Sequence, residues 1–258
     1  MTNCIVIPVY KSTLTSSERI SLLQCFKILR EHPIFLVAPN GLNLTEYKKI
    51  LGNDIIVEFF DEYYFIGISG YNKLMLTKDF YLRFSAFKYL LIYQLDCYVF
   101  RDELNDWCEL NYDYIGAPWI DTSIHNLNIF RKLFYFVKRK IKRILSKNLL
   151  NDKSILTNNV GNGGFSLRKT DKFISVLNET DDTYIKKFTE SNDPKSLFNE
   201  DVFWSFIAKK IKKPHFKEAC KFSLDLGADI GIRLNNNKLP FGCHAWNKKY
   251  YYWEKYIV

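Results

Sequence analysis

Leu90-Leu91-Ile92-Tyr93-Gln94-Leu95-Asp96-Cys97-Tyr98-Val99-Phe100 is the stretch on which the fold turns. Its apolar run reads as a strand buried on both faces, and it stops at one carboxylate before a second short apolar run. A core strand that delivers a single acid at its carboxyl end suits an open α/β sheet, where ligands bind beyond that edge. Asp96 is therefore a candidate to hold a divalent metal against a nucleotide diphosphate. A loop aspartate that merely turns the chain has the same spacing, so both readings remain open on this stretch alone.

Upstream, strand and helix patterns alternate. Cys4-Ile5-Val6-Ile7-Pro8-Val9-Tyr10 is a near-continuous apolar strand, with Pro8 marking its end because proline cannot donate to a central ladder. A helix is expected from Ser17 to Arg30, capped by Ser16 or Ser17, with Ile20, Leu22, Leu23, Phe26, Ile28 and Leu29 on its apolar side. Ile34-Phe35-Leu36-Val37-Ala38 and Ile55-Ile56-Val57-Glu58-Phe59 read as two more strands, separated by a short helix near Thr45 to Leu51. This alternation predicts a layered α/β domain with right-handed crossovers. The first loop has neither G-x-G-x-x-G nor G-x-x-x-x-G-K-[ST], which argues against a dinucleotide-binding Rossmann protein and a P-loop ATPase.

The 258 residues allow one large domain or two small ones, and 47% hydrophobic content supplies an ample core. Lys+Arg 37 against Asp+Glu 28 gives a net charge of +9, which attracts anions without choosing among nucleotides, acidic glycans, lipid head groups and nucleic acid. Cysteines at 4, 25, 97, 108, 220 and 243 form no C-x-x-C pair, so free thiols in a cytoplasmic protein are expected. The N-terminus runs almost directly into a strand, without a secretory leader pattern, and no run of about 18 apolar residues predicts a membrane span.

Further along, Asn72 and Lys73 fall on a helix pair over 69–84, where they could face the cleft and reach a phosphate or simply be polar positions of a core helix. Tyr112 to Trp119 reads as a strand running into a turn, with Trp119 either a pocket wall or a core residue. Residues 120–157 interrupt the alternation. Their centre fits an amphipathic helix with Phe130, Leu133, Phe134, Val137, Ile141, Ile144 and Leu145 near one side and Lys138, Arg139, Lys142 and Arg143 on the other. A packed helix with a solvated basic face, a lid, a surface for anionic lipid and a nucleic-acid contact all fit it. Gly161-Asn162-Gly163-Gly164 can fold tightly around a polar ligand or form a plain turn. Asn199 to Ile207 reads as a helix whose first acids, Glu200 and Asp201, either stabilise its N-terminus or supply a general base. His244, near the end and beside Trp246, is a buried hydrogen-bonded histidine or a metal ligand folding back to Asp96.

Four segments together carry a resemblance: Tyr93-Gln94-Leu95-Asp96, Tyr112-Asp113-Tyr114-Ile115-Gly116-Ala117-Pro118-Trp119, Gly161-Asn162-Gly163-Gly164-Phe165-Ser166-Leu167-Arg168 and Glu200-Asp201-Val202-Phe203. Over about residues 50–246 they resemble a glycosyltransferase-like family of bacterial polysaccharide gene clusters. More distantly the chain looks like nucleotide-sugar transferases of the GT-A fold, whose Asp-x-Asp motif binds metal and diphosphate; here Gln94 stands at the first position and Asp96 at the last. The resemblance implies one GT-A-like α/β domain with a central, mostly parallel sheet flanked by helices. It divides into a nucleotide-binding half (1–118), a basic helical insertion (119–157) and an acceptor-side half (158–258). It further implies a donor held by Pro8, Tyr10, Asn72, Lys73, Gln94 and Asp96, and a Mn²⁺ or Mg²⁺ ion held by Asp96 and His244. A sugar and acceptor site is implied at Trp119, Asn162, Gly163, Gly164 and Trp246, with Asp201 as base beside Glu200. Lys73 or Arg168 adds positive potential at the leaving group. The expected activity is transfer from a UDP-sugar or similar donor to a glycan or lipid-linked glycan hydroxyl, with inversion. A retaining transferase and a glycan- or nucleotide-binding protein without turnover are the alternatives. The expected setting is cytoplasmic, with residues 130–147 on an anionic membrane surface and no nucleic-acid partner.

Overall fold

The computed structural model describes residues 2–122, 127–145, 150, 153–190 and 197–257. Its strands are β1 (Asn3–Pro8), β2 (Ile34–Pro39), β3 (Ile56–Phe60), β4 (Tyr89–Tyr93), β5 (Tyr98–Val99), β6 (Tyr114–Pro118), β7 (Val160–Lys169), β8 (Ser223–Leu224) and β9 (Gly242–Cys243). Six of them form the main sheet in the order β3-β2-β1-β4-β7-β6. Neighbours from β3 to β4 are parallel, and β7 runs antiparallel to both β4 and β6. The sheet is thus mostly parallel, flanked by helices, as the apolar strand pattern predicts.

The absence of polar alternation in β1 and β4 has a direct cause. Ile5, Ile7, Leu91 and Tyr93 face one core, where Leu22, Cys25 and Leu29 of the first helix cover them. Cys4, Val6, Leu90 and Ile92 face the other, against Leu74, Phe80, Phe84 and Trp204. Both faces are covered, so a polar side chain there needs a buried partner, as Asn3 at the start of β1 has in Asn105 Oδ1 at 2.8 Å; each aliphatic side chain so buried stabilises the fold by about 1.5–3 kcal/mol. The first helix, Ser16–Leu29, is capped by Thr15 rather than Ser16 or Ser17. Glu18 N–H donates to Thr15 Oγ1 at 3.3 Å and Thr15 N–H to Glu18 Oε2 at 2.8 Å, a reciprocal capping box.

A second sheet, β5-β9-β8, gathers the tail. Tyr98, Leu224, Cys243, Trp246 and Trp253 pack on it as a third cluster. Trp246 is therefore a core residue, 2% exposed and edge-on to Tyr98 at 6.2 Å, and not a wall of a sugar site. The glycine-rich segment also differs from a tight turn. It is the first half of β7, where the pairing with β6 slips at Gly116/Ala117 and Ala117/Pro118. A Cβ on Gly116 would sit 2.2 Å from the Asn162 carbonyl oxygen, so the strands can approach this closely only because the side chain is absent. The Asn199–Ile207 helix is α-helical only over Glu200–Val202 and continues as a π-helical turn, Phe203–Ile207.

The basic insertion contains the expected helix, Ile129–Leu145. The assignments made for Arg139, Lys142, Arg143, Ile144 and Leu145 fall on side chains outside the described residues.

Candidate active site

The main sheet reverses its strand order between β1 and β4. Open α/β sheets bind ligands at such a point, beyond the carboxyl ends of the strands. Here a cleft of about 620 Å³ opens, lined among others by Pro8 and Tyr10 from the end of β1, Thr15, Tyr47, and Gln94 and Asp96 from the end of β4. Cys97 N–H donates to the Gln94 carbonyl at 2.9 Å, closing the turn that presents Asp96. Gln94 N–H in turn donates to the Gly164 carbonyl at 3.0 Å, which continues the β4–β7 ladder by one residue.

The small sheet delivers the histidine. Antiparallel pairing of Tyr98 with Cys243 brings the residues just before β5 beside those just after β9. The register is locked by Trp246 N–H, which donates to the Asp96 carbonyl at 3.2 Å. His244 Nε2 consequently lies 3.2 Å from Asp96 Oδ1 and 3.3 Å from Gln94 Oε1. On its other side Nδ1 is 3.7 Å from Asp225 Oδ2, which accepts a hydrogen bond from Asn162 Nδ2 at 2.7 Å. Lys248 Nζ is 3.8 Å from Asp96 Oδ2.

Burial alone works against charge on both partners, but mutual attraction wins. Asp225 and Asp96 together raise His244 to about 9, and His244 with Lys248 holds Asp96 below the usual carboxylate range. Asp96 Oδ1 and His244 Nδ1 are nonetheless buried without a hydrogen bond. A carboxylate, an imidazole and an amide oxygen converging on one point fit an oxygen- and nitrogen-loving divalent cation, which would take the place of the proton that the imidazole shares with Asp96. Cys97 Sγ also lies in this group. It is a poor ligand, because it donates to the Gly164 carbonyl at 3.2 Å and burial pushes its thiol far from the thiolate form.

Gly164 makes the convergence possible. A Cβ there would stand 2.2 Å from His244 Nε2 and 2.8 Å from Gln94 Oε1. Its neighbour Gly163 does the same for the acidic pair, since its Cβ would stand 2.2 Å from Glu200 Oε1. The two glycines thus join the Asp96–His244 group to Glu200. Glu200 is 3% exposed and its Oε1 pairs with Arg168 Nη2 at 3.1 Å. The fully buried Arg168 also donates to Ser166 Oγ at 3.0 Å and Tyr81 Oη at 2.9 Å. Asn72 Oδ1 accepts from the Glu200 N–H at 3.1 Å. Asp201 is only partly buried. Loss of water around the carboxylate, and then the Glu200 charge, push it up to about 7.

The family described as Protein of unknown function (DUF5672) matches residues 54–244, a span that contains Gln94, Asp96, Asn162, Gly163, Gly164, Arg168, Glu200, Asp201, Asp225 and His244. The chain belongs to the DUF5672 family. No curated protein matches it. Among solved structures, the galactosyltransferase LgtC in complex with donor and acceptor sugar analogues aligns with TM-score 0.55 at 10% identity, over 94% of this chain and 86% of its own. The bifunctional glycosyltransferase WbbM in its apo form gives 0.52 at 11% identity, over 94% of this chain and 45% of its own. The apo-form glycosyltransferase GlyE of Streptococcus pneumoniae TIGR4 gives 0.49 at 12% identity, over 95% and 54%. The chain thus spans about half the length of the GlyE and WbbM chains. Its fold is that of the GT-A glycosyltransferases.

Within this DUF5672 fold the predicted residues separate into groups. Pro8, Tyr10, Gln94 and Asp96 share the cleft, and His244 meets Asp96 and Gln94. Asn162, Gly163 and Gly164 adjoin them through Asp225, Glu200 and His244. Trp119 packs beside Gly161 and stacks on Phe206 at 6.1 Å. Lys73 does not reach the cleft and lines a separate cavity with Asp181 and Lys186. Asn72 lies beneath Glu200 instead of in the cleft. Arg168 is spent on Glu200, so neither it nor Lys73 is free to meet a leaving group. Asp225 and Lys248 were missed. Two-residue strands carry no periodicity, so the ladder that brings Asp225 beside His244 leaves no trace in the sequence; the one available signal was an apolar residue followed by an acid, Leu224-Asp225, as in Leu95-Asp96.

Proposed function

We propose that this chain transfers a sugar from a nucleotide-diphosphate donor, a UDP-sugar by default, to a hydroxyl of a glycan or lipid-linked glycan. The observation that carries the reading is the convergence of Asp96, Gln94 and His244 at the mouth of a switch-point cleft in a GT-A fold. Asp96 and His244 would hold a divalent cation, with Gln94 as a weaker neighbour, and Asp225 would orient the imidazole from behind. Bound there, Mn²⁺ or Mg²⁺ supplies positive charge to the diphosphate as it departs.

The chain's own groups account for the remainder. Lys248, exposed beside Asp96, adds a mobile positive charge where the diphosphate oxygen gains its negative one. Asp201 accepts the acceptor's hydroxyl proton while the new C–O bond forms at the anomeric carbon and the bond to the diphosphate breaks. Its raised pKa suits that task, whereas Glu200 is committed to Arg168. Attack from the Asp201 side, opposite the leaving group, would invert the anomeric centre. The buried, free cysteines suit a reducing, cytoplasmic setting.

Incubating the chain with UDP-sugars, Mn²⁺ and a panel of methyl glycosides, and following nucleoside diphosphate release, tests the proposal. Release that depends on donor identity supports it, and the anomeric configuration of the product reports inversion or retention. Gln94, at the position of the usual acid, favours one second reading: a nucleotide-binding protein without turnover. Saturable binding with no release across the panel would support that reading and sink the first.

A further inference from the structure

We infer that the Ile129–Leu145 helix is a docking surface for an anionic lipid bilayer, lying along it with its apolar face in the headgroup boundary. The helix is turned the wrong way round for a packed element. Ile129 is 76% exposed, Phe130 81%, Leu133 64% and Phe134 71%, and Val137 and Ile141 are exposed too. At about 100° per residue these six fall within one arc of the helix, the stripe that a globular protein normally turns to its core. The opposite side carries the attachment: Tyr135 Oη donates to Asp121 Oδ2 at 3.2 Å. A polar tether on the inner side and bare aromatic and aliphatic side chains on the outer one leave the apolar face with no partner in the described chain.

Charge selects the occupant. The 17 residues hold no acid, and Arg131, Lys132, Lys138, Arg139, Lys140, Lys142 and Arg143 concentrate basic charge in one element. Such a combination fits a surface that is apolar inside and anionic outside, which is the profile of a bilayer with acidic lipids. A nucleic acid would use the cations but leave six apolar side chains in water. A second copy of the helix would bury those side chains but bring like charges together. The helix lies on the bilayer and does not cross it, since no helix among the described residues is long and apolar enough to span one. Asp121 follows closely on β6, whose continuation Trp119 donates its N–H to the Asn159 carbonyl at 2.9 Å, so docking would set the β6 edge of the sheet against the membrane. The inference stands independently of the transferase reading.

The test is co-sedimentation of the full chain with phosphatidylcholine vesicles, with and without phosphatidylglycerol. Binding should favour the anionic vesicles by about tenfold or more and weaken as salt rises. The double variant Phe130→Ser, Phe134→Ser should lose most of that binding while keeping its circular dichroism, its melting temperature and its nucleotide binding, because both side chains are exposed and outside the cleft. Undiminished vesicle binding by the variant overturns the proposal. So does equal binding to neutral and anionic vesicles, or a wild-type chain that ignores vesicles and instead binds duplex DNA or dimerises through this face. Vesicle binding without nucleoside diphosphate release would leave docking intact and count only against the transferase.

Discussion

The hydrogen on Gly164 Cα is what lets three polar groups meet. Replacing it by a methyl puts a carbon 2.2 Å from His244 Nε2 and 2.8 Å from Gln94 Oε1, and the imidazole must move. Gly164→Ala should therefore retain the fold but weaken Mn²⁺ and nucleotide binding by about tenfold or more, comparable to losing a supporting contact around a metal ligand. Calorimetry measures this; unchanged affinity would mean that the imidazole is not where binding occurs. Asp201 makes a different prediction. It must be ionised to take a proton, and it titrates at about 7, so log kcat/KM should rise with pH up to about 7 and then level. Asp201→Asn should lower turnover by about 10²-fold or more and abolish that limb while leaving donor affinity nearly unchanged. The same shift acts on stability. The folded group binds its proton more tightly than the unfolded group at 3.8, so the stability it confers is present below 3.8 and fades as pH rises through about 7. Asn at this position removes that loss, so the variant's relative stability should improve between pH 4 and pH 8.

At the scale of elements, the parts that could be read from the chain are those whose environment is uniform along their length. β1, β2 and β4 are covered on both faces, so their sequences are unbroken apolar runs, and the exposed stripe of Ile129–Leu145 keeps helical spacing. β8 and β9 are two residues each, and what determines their pairing is the ladder and the aromatic cluster around Trp246 and Trp253. Asp96 and His244 were legible because each follows an apolar run directly; their company, Asp225 and Lys248, was not. Arg168 shows the opposite error. Its charge suggested a ligand for an anion, but β7 carries it into the core, where Glu200 at 3.1 Å, Ser166 and Tyr81 satisfy it. This pair fastens β7 to the short Glu200–Val202 helix and so holds Asp201 in place. Breaking it from one side leaves a buried charge alone, which costs about 3–5 kcal/mol. Arg168→Met should lower urea stability by that amount, and adding Glu200→Leu to Arg168→Met should recover part of it. If the single variant loses less than about 1 kcal/mol, the pair is not a structural clamp.

For the molecule as a whole, the cleft lies at a seam between two sheets that are already tied beside it, by the Asn162–Asp225 hydrogen bond at 2.7 Å and by Phe165 against Phe241 at 5.3 Å. Asp96 belongs to the end of the main sheet and His244 to the small one, and the two are about 150 residues apart in the chain. A ligand gripped by both would staple the tail cluster to the main sheet, so its binding energy would become stability of the whole fold. At a hundred times its Kd such a ligand adds about 2.7 kcal/mol, or roughly 5–10 °C of melting temperature for a chain of this size. Nucleoside diphosphate and Mn²⁺ together should produce this shift, and each alone should produce much less, because the cation neutralises the diphosphate beside Asp96. Hydrogen exchange should slow at the same time in β8 and β9, whose residues do not line the cleft. In His244→Ala the nucleotide can still enter between β1 and β4, but its effect should stay local to that half, with no slowing in the tail. A variant that keeps both the full melting shift and the protection of β8 and β9 would show that the two sheets are coupled through their packing, with the histidine as a bystander.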